Sequence, residues 1–448
     1  LSATIIPVPG EYSKIQNAVN ASVNGDTIAV SPGTYFENIN FKGKNIMLTS
    51  LYYLNNDNSY ITSTIINGSV PANPDTASCV IFCSGETNNA VLQGFTITGG
   101  TGTKWTDIHG AGVFREGGGV LSDISSPTIK HNIITGNKAV NTTGVTGAGG
   151  GGLRIGDGNP QIIDNVIVYN QGNYGPGIVL NYTGCVIRNN IIASNTGGSS
   201  YYGGSAIWIW NNNGTIPKII ENNTIVYNTS SLTSGTGGIL CWSASDVIIR
   251  NNIIRNNFPS ANQIKKISCS PTVEYSDIQG GFTGGTNISD IDPIFMTDNY
   301  LLSDESPCID CGNIDTGYDD IENLNFPGNA LFPSKGLIRN DIGAYGGPSA
   351  VTFPNFQTQT SIEFGSGKNF RISLCPNPVC EKIILNMSNV DFSKIILITI
   401  YNIQGIIVFQ KAVNEINTEI NCNCFANGIY TIKINFGGKS EILKIIKQ

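Results

Sequence analysis

Apolar and polar positions in this chain recur in blocks of about 25–33 residues, too long for a helix face or a simple alternating strand. Residues 129–137, 162–170, 187–195, 220–228 and 249–257 share one template. Aligned on the middle asparagine, four columns are invariant. They are Ile129/Ile162/Ile187/Ile220/Ile249, Asn132/Asn165/Asn190/Asn223/Asn252, Ile134/Ile167/Ile192/Ile225/Ile254 and Asn137/Asn170/Asn195/Asn228/Asn257. A second element alternates with the first: Gly118-Gly119-Val120, Gly151-Gly152-Leu153, Pro176-Gly177-Ile178, Ser205-Ala206-Ile207 and Gly237-Gly238-Ile239. Each repeat therefore holds at least two short strands with turns between them. The repeat is too short for a strand–helix–strand unit with its loops, and residues 80–280 carry no helical periodicity. The pattern predicts an all-β solenoid, a right-handed parallel β-helix over residues 1–285. Stacked rungs put the isoleucine columns inside and turn the asparagine columns into amide ladders at the corners.

The ends read differently. Residues 12–22 place Ile15, Ala18 and Val19 on one face of a short helix that would cover the open end of the core. Residues 348–368 are rich in Pro, Thr, Ser and Gly and read as a linker. Residues 369–448 alternate apolar and polar positions between turn glycines, which predicts a small β-sandwich.

Composition narrows the class. Charged residues are 13% and glycine is 53 of 448, far from a helical cytosolic enzyme. The net charge is −7. Residues 369–448 hold 8 Lys+Arg against 5 Asp+Glu, so the rest of the chain stands at −10. An acidic body argues against nucleic acid and against anionic membrane surfaces. No apolar run approaches the roughly 20 residues of a membrane span. The chain begins at Leu1, which is expected of a processed or trimmed N-terminus. Eleven cysteines include the close pairs Cys79/Cys83, Cys308/Cys311, Cys375/Cys380 and Cys422/Cys424, whose pairing spacing cannot assign. Cys185 and Cys241 fall at core positions of the repeats.

Three stretches carry resemblances. Gly25-Asp26-Thr27-Ile28-Ala29-Val30-Ser31-Pro32-Gly33-Thr34-Tyr35, followed by Glu37-Asn38-Ile39, resembles the opening rung of the pectin-lyase-like β-helix superfamily. Asp290-Ile291-Asp292-Pro293, Ser306-Pro307-Cys308-Ile309-Asp310-Cys311-Gly312 and Asp341-Ile342-Gly343-Ala344-Tyr345 are similar to the choice-of-anchor-Q segment of bacterial surface β-helix proteins. That resemblance implies that residues 286–347 close the C-terminal end of the helix. Pro376-Asn377-Pro378, Gly405 within Asn402-Ile403-Gln404-Gly405, Gly428-Ile429-Tyr430 and the tail Lys444-Ile445-Ile446-Lys447 resemble a type IX secretion sorting domain with an immunoglobulin-like sandwich. This implies a Bacteroidota-type export route, the secretion machinery as a partner, and a secreted or cell-surface location.

Candidate chemistry is sparse. If Val120, Leu153, Ile178, Ile207 and Ile239 point inward, then Leu121, Arg154, Val179, Trp208 and Leu240 point outward. A second outward column is Asp123, Gly156, Asn181, Trp210 and Trp242. Trp208, Trp210 and Trp242 then share one outer face, with Arg154, Tyr182, Tyr201 and Tyr202 beside them. Flat rings on a rigid face suit sugar rings. The alternative is that long loops bury them. Lys130, Arg188 and Arg250 form a basic column. It could neutralise a uronate and supply a base for a lyase, or simply be a solvated face. His109 sits in the polar stretch 104–110, which could form a site with Arg115 and Glu116 but reads better as a mobile loop. The paired acids, Gly-His-Gly and Arg-x-Lys of the polygalacturonase type are missing. The aspartates of 290–341 could bind calcium, or serve as turn and cap carboxylates, which their spacing favours; no metal or other cofactor is otherwise called for. The sequence thus favours a surface protein with a structural, adhesive or glycan-binding role, not an enzyme. A polysaccharide lyase or hydrolase is the alternative, and a self-assembling surface layer or filament a further one.

Overall fold

Each repeat makes one coil that visits three long sheets in turn. Val120–Asp123 lies in the first of these, Thr128–Lys130 in the next and Ile133–Thr135 in the third; a short strand, Lys138–Ala139, leads back to Leu153–Gly156. We call these sheets III, I and II. In the computed structural model, sheet I has ten described strands, sheet II nine and sheet III eight. The described residues are 3–198, 205–212, 216–232, 235–259, 262–296, 299–356, 371–375, 379, 382–388, 396–404, 406–413, 417–436 and 439–447. All neighbours within the three sheets pair in parallel, giving the β-helix that the repeats predict. One compact unit comprises Leu1–Met296 and Tyr300–Pro354; the other is Thr297–Asn299 with Asn355–Gln448.

The register is that of the sequence columns. Ile129, Ile162, Ile187, Ile220 and Ile249 stack in sheet I. Ile134, Ile167, Ile192, Ile225 and Ile254 stack in sheet II, and all ten are buried in one core. Between the two sheets the chain turns through one left-handed residue per coil: His131, Asp164, Asn189, Asn222 and Asn251, with φ of 51–57°. Asparagine and aspartate tolerate that conformation best among non-glycine residues.

The next residue is the ladder asparagine, and its amide is saturated. Asn190 Nδ2 donates to Ile162 O, Arg188 O and Asn223 Oδ1 at 2.8–3.0 Å. Its Oδ1 accepts the backbone N–H and the Nδ2 of Asn165. The chain of bonds runs from Phe95 N through Asn132, Asn165, Asn190, Asn223 and Asn252 to Ser276 Oγ. A second ladder runs from Gly100 N through Asn137, Asn170, Asn195, Asn228 and Asn257 to Gln263 Oε1. Where the coil re-enters sheet III the backbones come close, and the column there admits nothing larger than Ala206. A Cβ on Gly152 would lie 2.5 Å from Gly177 O, and the same column is glycine at 119, 177 and 238.

The N-terminal helix Ile15–Ala21 buries Ile15, Ala18 and Val19 as expected. Its own N-cap, Lys14, offers no acceptor. Instead Glu37, from the rung beneath, accepts the N–H groups of Ile15 and Gln16 at 2.8 and 2.9 Å. At the other end, Phe282 and Ile288 pack on the core. Residues 308–347 do not lie across that end. They run back along the corner between sheets I and II, because the left-handed asparagines there present free amide groups. Asn251 Oδ1 accepts Asn313 N–H, Asn222 Nδ2 donates to Asp341 O, and Asn189 Nδ2 donates to Ala344 O and Gly346 O. Further on, Thr352 O accepts from Asn58 in an early coil.

The C-terminal unit has a three-stranded sheet (Arg371–Cys375, Lys382–Ser388, Asn417–Asn421) and a four-stranded one (Ile407–Val413, Ile396–Tyr401, Gly428–Phe436, Lys439–Lys447). Both are antiparallel, and Ile383, Leu385, Ile398, Ile400, Ile432, Ile434 and Ile445 fill one core. Pro376, Asn377, Pro378, Gly405 and Cys380 lie outside the described residues; Gly428 opens a strand and Tyr430 donates to Ala426 O at 2.7 Å. Nine cysteines whose side chains are described form no disulfide, and Cys185 and Cys241 lie in the helix core as expected.

Two predictions follow from the ladders and corners. Asn190→Ala removes the acceptor of the Asn165 backbone N–H and the donor to Ile162 O, Arg188 O and Asn223 Oδ1 in a dry interior. Chemical denaturation of the full chain should show a loss of about 1–3 kcal/mol. His131 occupies the left-handed column, packed 5.2 Å from Tyr52, with Lys130 adjacent and Asp164 3.8 Å away. Burial first, and Lys130 second, push its pKa from 6.5 down to about 4. The unfolded chain therefore takes up this proton at higher pH than the folded one. Wild-type stability relative to His131→Asn should fall as pH drops from 6.5 towards 4, and be level above that window.

Candidate functional site

The outer columns of sheet III stand as the alternation predicts. Leu121, Arg154, Val179, Trp208 and Leu240 align in one, and Asp123, Gly156, Asn181, Trp210 and Trp242 in the other. This face is partly roofed. Gly102–Thr106 and Val113–Glu116 form an antiparallel hairpin, flanked by Thr76–Ala77 and Gly147–Gly149. The loop expected around His109 is thus the turn of a hairpin, with Lys104, Trp105, Thr106, Arg115 and Glu116 in its strands. Polar composition concealed it, because the hairpin buries one face only.

The hairpin brings the fourth tryptophan, Trp105, onto the same face as the other three. Its ring lies 3.9 Å from the Arg154 guanidinium carbon. Arg154 is wholly buried, so it cannot serve as the exposed sugar contact expected of it. It is paired with Glu116, Nε to Oε2 at 3.2 Å, and with Asp123. Its guanidinium lies across Gly156, where a Cβ would meet Nη1 at 2.2 Å; a side chain there would expel it. Glu116 also accepts from Tyr174 Oη at 2.5 Å and Trp105 Nε1 at 3.0 Å. Burial raises its pKa and Arg154 opposes the rise.

Beside this buried knot lies a pocket of about 90 Å³. Ala111, Phe114, Glu116, Thr146, Tyr174, Asn181, Trp208 and Trp210 line it. Trp208 is buried against Tyr174, Val179 and Leu240; Trp210 and Trp242 are partly exposed, their rings 6.5 Å apart. Strand Gly147–Gly149 can pass because it has no large side chains: a Cβ on Gly149 would sit 2.3 Å from the Tyr174 ring. Nearby, His109 stacks on Tyr182 at 3.6 Å and bonds Asp157 through Nε2 at 2.8 Å. The expectation of an aromatic face and the expectation of covering loops are therefore both met in part. Trp105, Phe114, Tyr174 and Asp157 had no signal in the repeat. The one clue to them is the glycine-rich stretch 147–152, which marks a close approach of backbones.

The basic column is assembled but neutralised. Arg188 pairs with Glu221 at 2.5 Å, and Arg250 lies 3.6 Å from Glu221 and 3.7 Å from Glu274. Arg250 also bonds and overlies Tyr318. Lys130 is separated from Arg188 by Ile163 in the register. The acids of 290–341 act as turn and cap acceptors. Asp290 accepts Gly280 N–H, Asp292 accepts Ile294 N–H, and Asp341 accepts the N–H groups of Asp310 and Lys335. Asp320 accepts Asp341 N–H, and burial first pushes both carboxyls upward, helped by the charge of Asp341 at Asp320 and by that of Asp310 at Asp341. Among the described residues no group of three His, Cys, Asp or Glu is placed to hold a metal. Tyr201 and Tyr202 lie outside the described residues.

Removing the buried cation alone should be costly. Arg154→Met leaves Glu116 and Asp123 facing each other without a counter-charge. Denaturant titration should show a loss of about 3–5 kcal/mol, partly recovered in Arg154→Met combined with Glu116→Gln.

Comparison with known proteins bears on the two units separately. Residues 373–448 match the secretion system C-terminal sorting domain. This is the type IX sorting tail, and it marks the protein for export to the cell surface or beyond. No curated protein matches the chain. Among solved structures, a PL6 family alginate lyase, AlyGC, is similar at 15% identity and a TM-score of 0.28. The similarity covers 68% of this chain and 56% of that one, so the chain spans little more than half its length. No helix among the described residues is long and apolar enough to cross a membrane.

Proposed function

We propose that this is an exported β-helix protein that holds carbohydrate on the outer face of sheet III, in a binding or adhesive role. The observation that carries the reading is a partly roofed pocket lined by Trp208, Trp210, Tyr174 and Phe114, with Trp242 beside Trp210 and Trp105 on Arg154 nearby. Rings fixed by a rigid solenoid lose little entropy on contact, and sugar CH faces pack well on them. Export supports a ligand outside the cell. The neutralised Arg188 and Arg250 weigh against lyase chemistry on the basic column, since both cations already face carboxylates.

A second reading draws on His109. An imidazole bonded to Asp157 and stacked on Tyr182, near the pocket, has the parts of a general base or acid. The full-length protein should be incubated with a polysaccharide panel, including uronates, and followed for binding and for new unsaturated or reducing ends. Binding without products, lost at least ten-fold in Trp210→Ala, is the expected outcome. Products that vanish in His109→Ala would make the protein an enzyme. Neither binding nor products would leave a scaffold whose partner is protein or another copy of itself.

A further inference from the structure

We infer that Cys241 and Cys269 are a modification site: on export they are oxidised to a disulfide that ties the last coil of the β-helix to the coil before it. This needs only the fold and the export signal, and stands apart from the carbohydrate reading.

The repeat places the two sulfurs. Ile155, Leu180, Ile209 and Cys241 form one inward column of sheet III, all in the core. The next place in the register falls to Lys266, which is exposed, so no apolar side chain continues the column. The chain then turns through Ser268 at φ 52°, and Cys269 packs on the core instead. Its Sγ donates to Cys241 O at 3.2 Å and accepts from the Cys241 thiol. Sulfurs on adjacent coils that already bond each other are placed to be joined.

The position is one where a link has something to hold. Ile264–Ile267 is the end strand of sheet III, with a neighbour on one side only. Such an edge opens before the interior of a solenoid does. The two cysteines are 28 residues apart, so a bond between them closes the chain around the whole last turn.

The two thiols also differ in the way exchange chemistry requires. Cys241 is wholly buried and Cys269 partly so. The bond from Cys241 is the main reason that the Cys269 pKa falls to about 6, against the effect of burial; backbone groups at Ile267 and Ala244 and the charge of Lys266 assist. At neutral pH Cys269 is therefore mostly thiolate, the form that attacks a disulfide. Burial pushes the thiols of Cys79, Cys185, Cys308 and Cys311 the other way. The sorting tail takes the chain out of the cytoplasm to where thiols are oxidised. The oxidant is a protein disulfide of that compartment. The Cys269 thiolate attacks one of its sulfurs, the oxidant's S–S bond breaks, and one thiolate leaves. Cys241 then gives up its proton and attacks the Cys269 sulfur, displacing the oxidant's second thiolate. Two electrons pass to the oxidant, which takes up the two protons that the cysteines have lost and departs as a dithiol. It never has to reach the buried Cys241.

The test is to expose the folded, reduced full-length protein to oxidised glutathione. Mass spectrometry of a non-reducing digest should find one peptide joining Cys241 to Cys269, and the melting temperature should rise by several degrees. In Cys241→Ala, glutathione should remain on Cys269 as a stable adduct, because the resolving thiol is gone. In Cys269→Ala, Cys241 should take up no glutathione and the rise in melting temperature should vanish. That variant trims only a partly buried side chain, so it stays informative if the buried substitution unfolds the protein. Three results would each overturn the inference: both thiols still open to alkylation after oxidation, either cysteine joined to a different partner, or an equal rise in melting temperature in Cys269→Ala.

Discussion

The constraint on which the rest depends is the corner between sheets I and II. A parallel coil must turn there in two residues, and it must do so with no water to satisfy the backbone it exposes. One left-handed residue makes the turn, and one asparagine amide closes it. Each ladder amide bonds its own coil, the coil before and the coil after. The ladder cannot slip by a residue without losing all of these at once, so it fixes the register of sheets I and II together. Sheet III, joined to them by short turns, inherits that register. The positions of Arg154, Asn181, Trp208 and Trp210 relative to one another are thus consequences of asparagines on the far side of the coil.

The same corner explains the flank. Left-handed asparagines at 189, 222 and 251 have already turned the chain, and their side chains face outward. They recruit the carbonyls and amides of residues 313–346. A resemblance at the level of motif order suggested a closed end; the physical preference of three unmet amides produced a strap along the side. At the last coil Phe282 and Ile288 pack against the core, partly buried.

How much was legible follows from which physics leaves a periodic trace. Inward isoleucines, ladder asparagines and the alternation of sheet III repeat in every coil, so the sequence displays them directly. The helix at 15–21 showed its buried face, but its cap, Glu37, did not show, because the acceptor comes from another rung. The hairpin at 102–116 occurs once, and one occurrence has no period to read. Its contribution of Ala111, Phe114 and Glu116 is what turns an open aromatic stripe into a pocket. Reading Arg154 as a surface group failed for the same reason. It is outward from the sheet yet inward from the hairpin, and alternation reports only the first.

Stacking also governs the electrostatics of the solenoid. Coils lie about 4.8 Å apart, so any charged outward column brings like charges within a few ångströms unless the signs alternate. In sheet I they do: Arg188, Glu221, Arg250 and Glu274 follow one another. In sheet III, Asp123 and Glu116 flank Arg154. A β-helix built this way neutralises its own columns, and cations left over for an anionic ligand become the exception. The groups that stacking does not cancel are aromatic faces and neutral amides. Here both are concentrated where a single non-repeating hairpin crosses the repeating sheet.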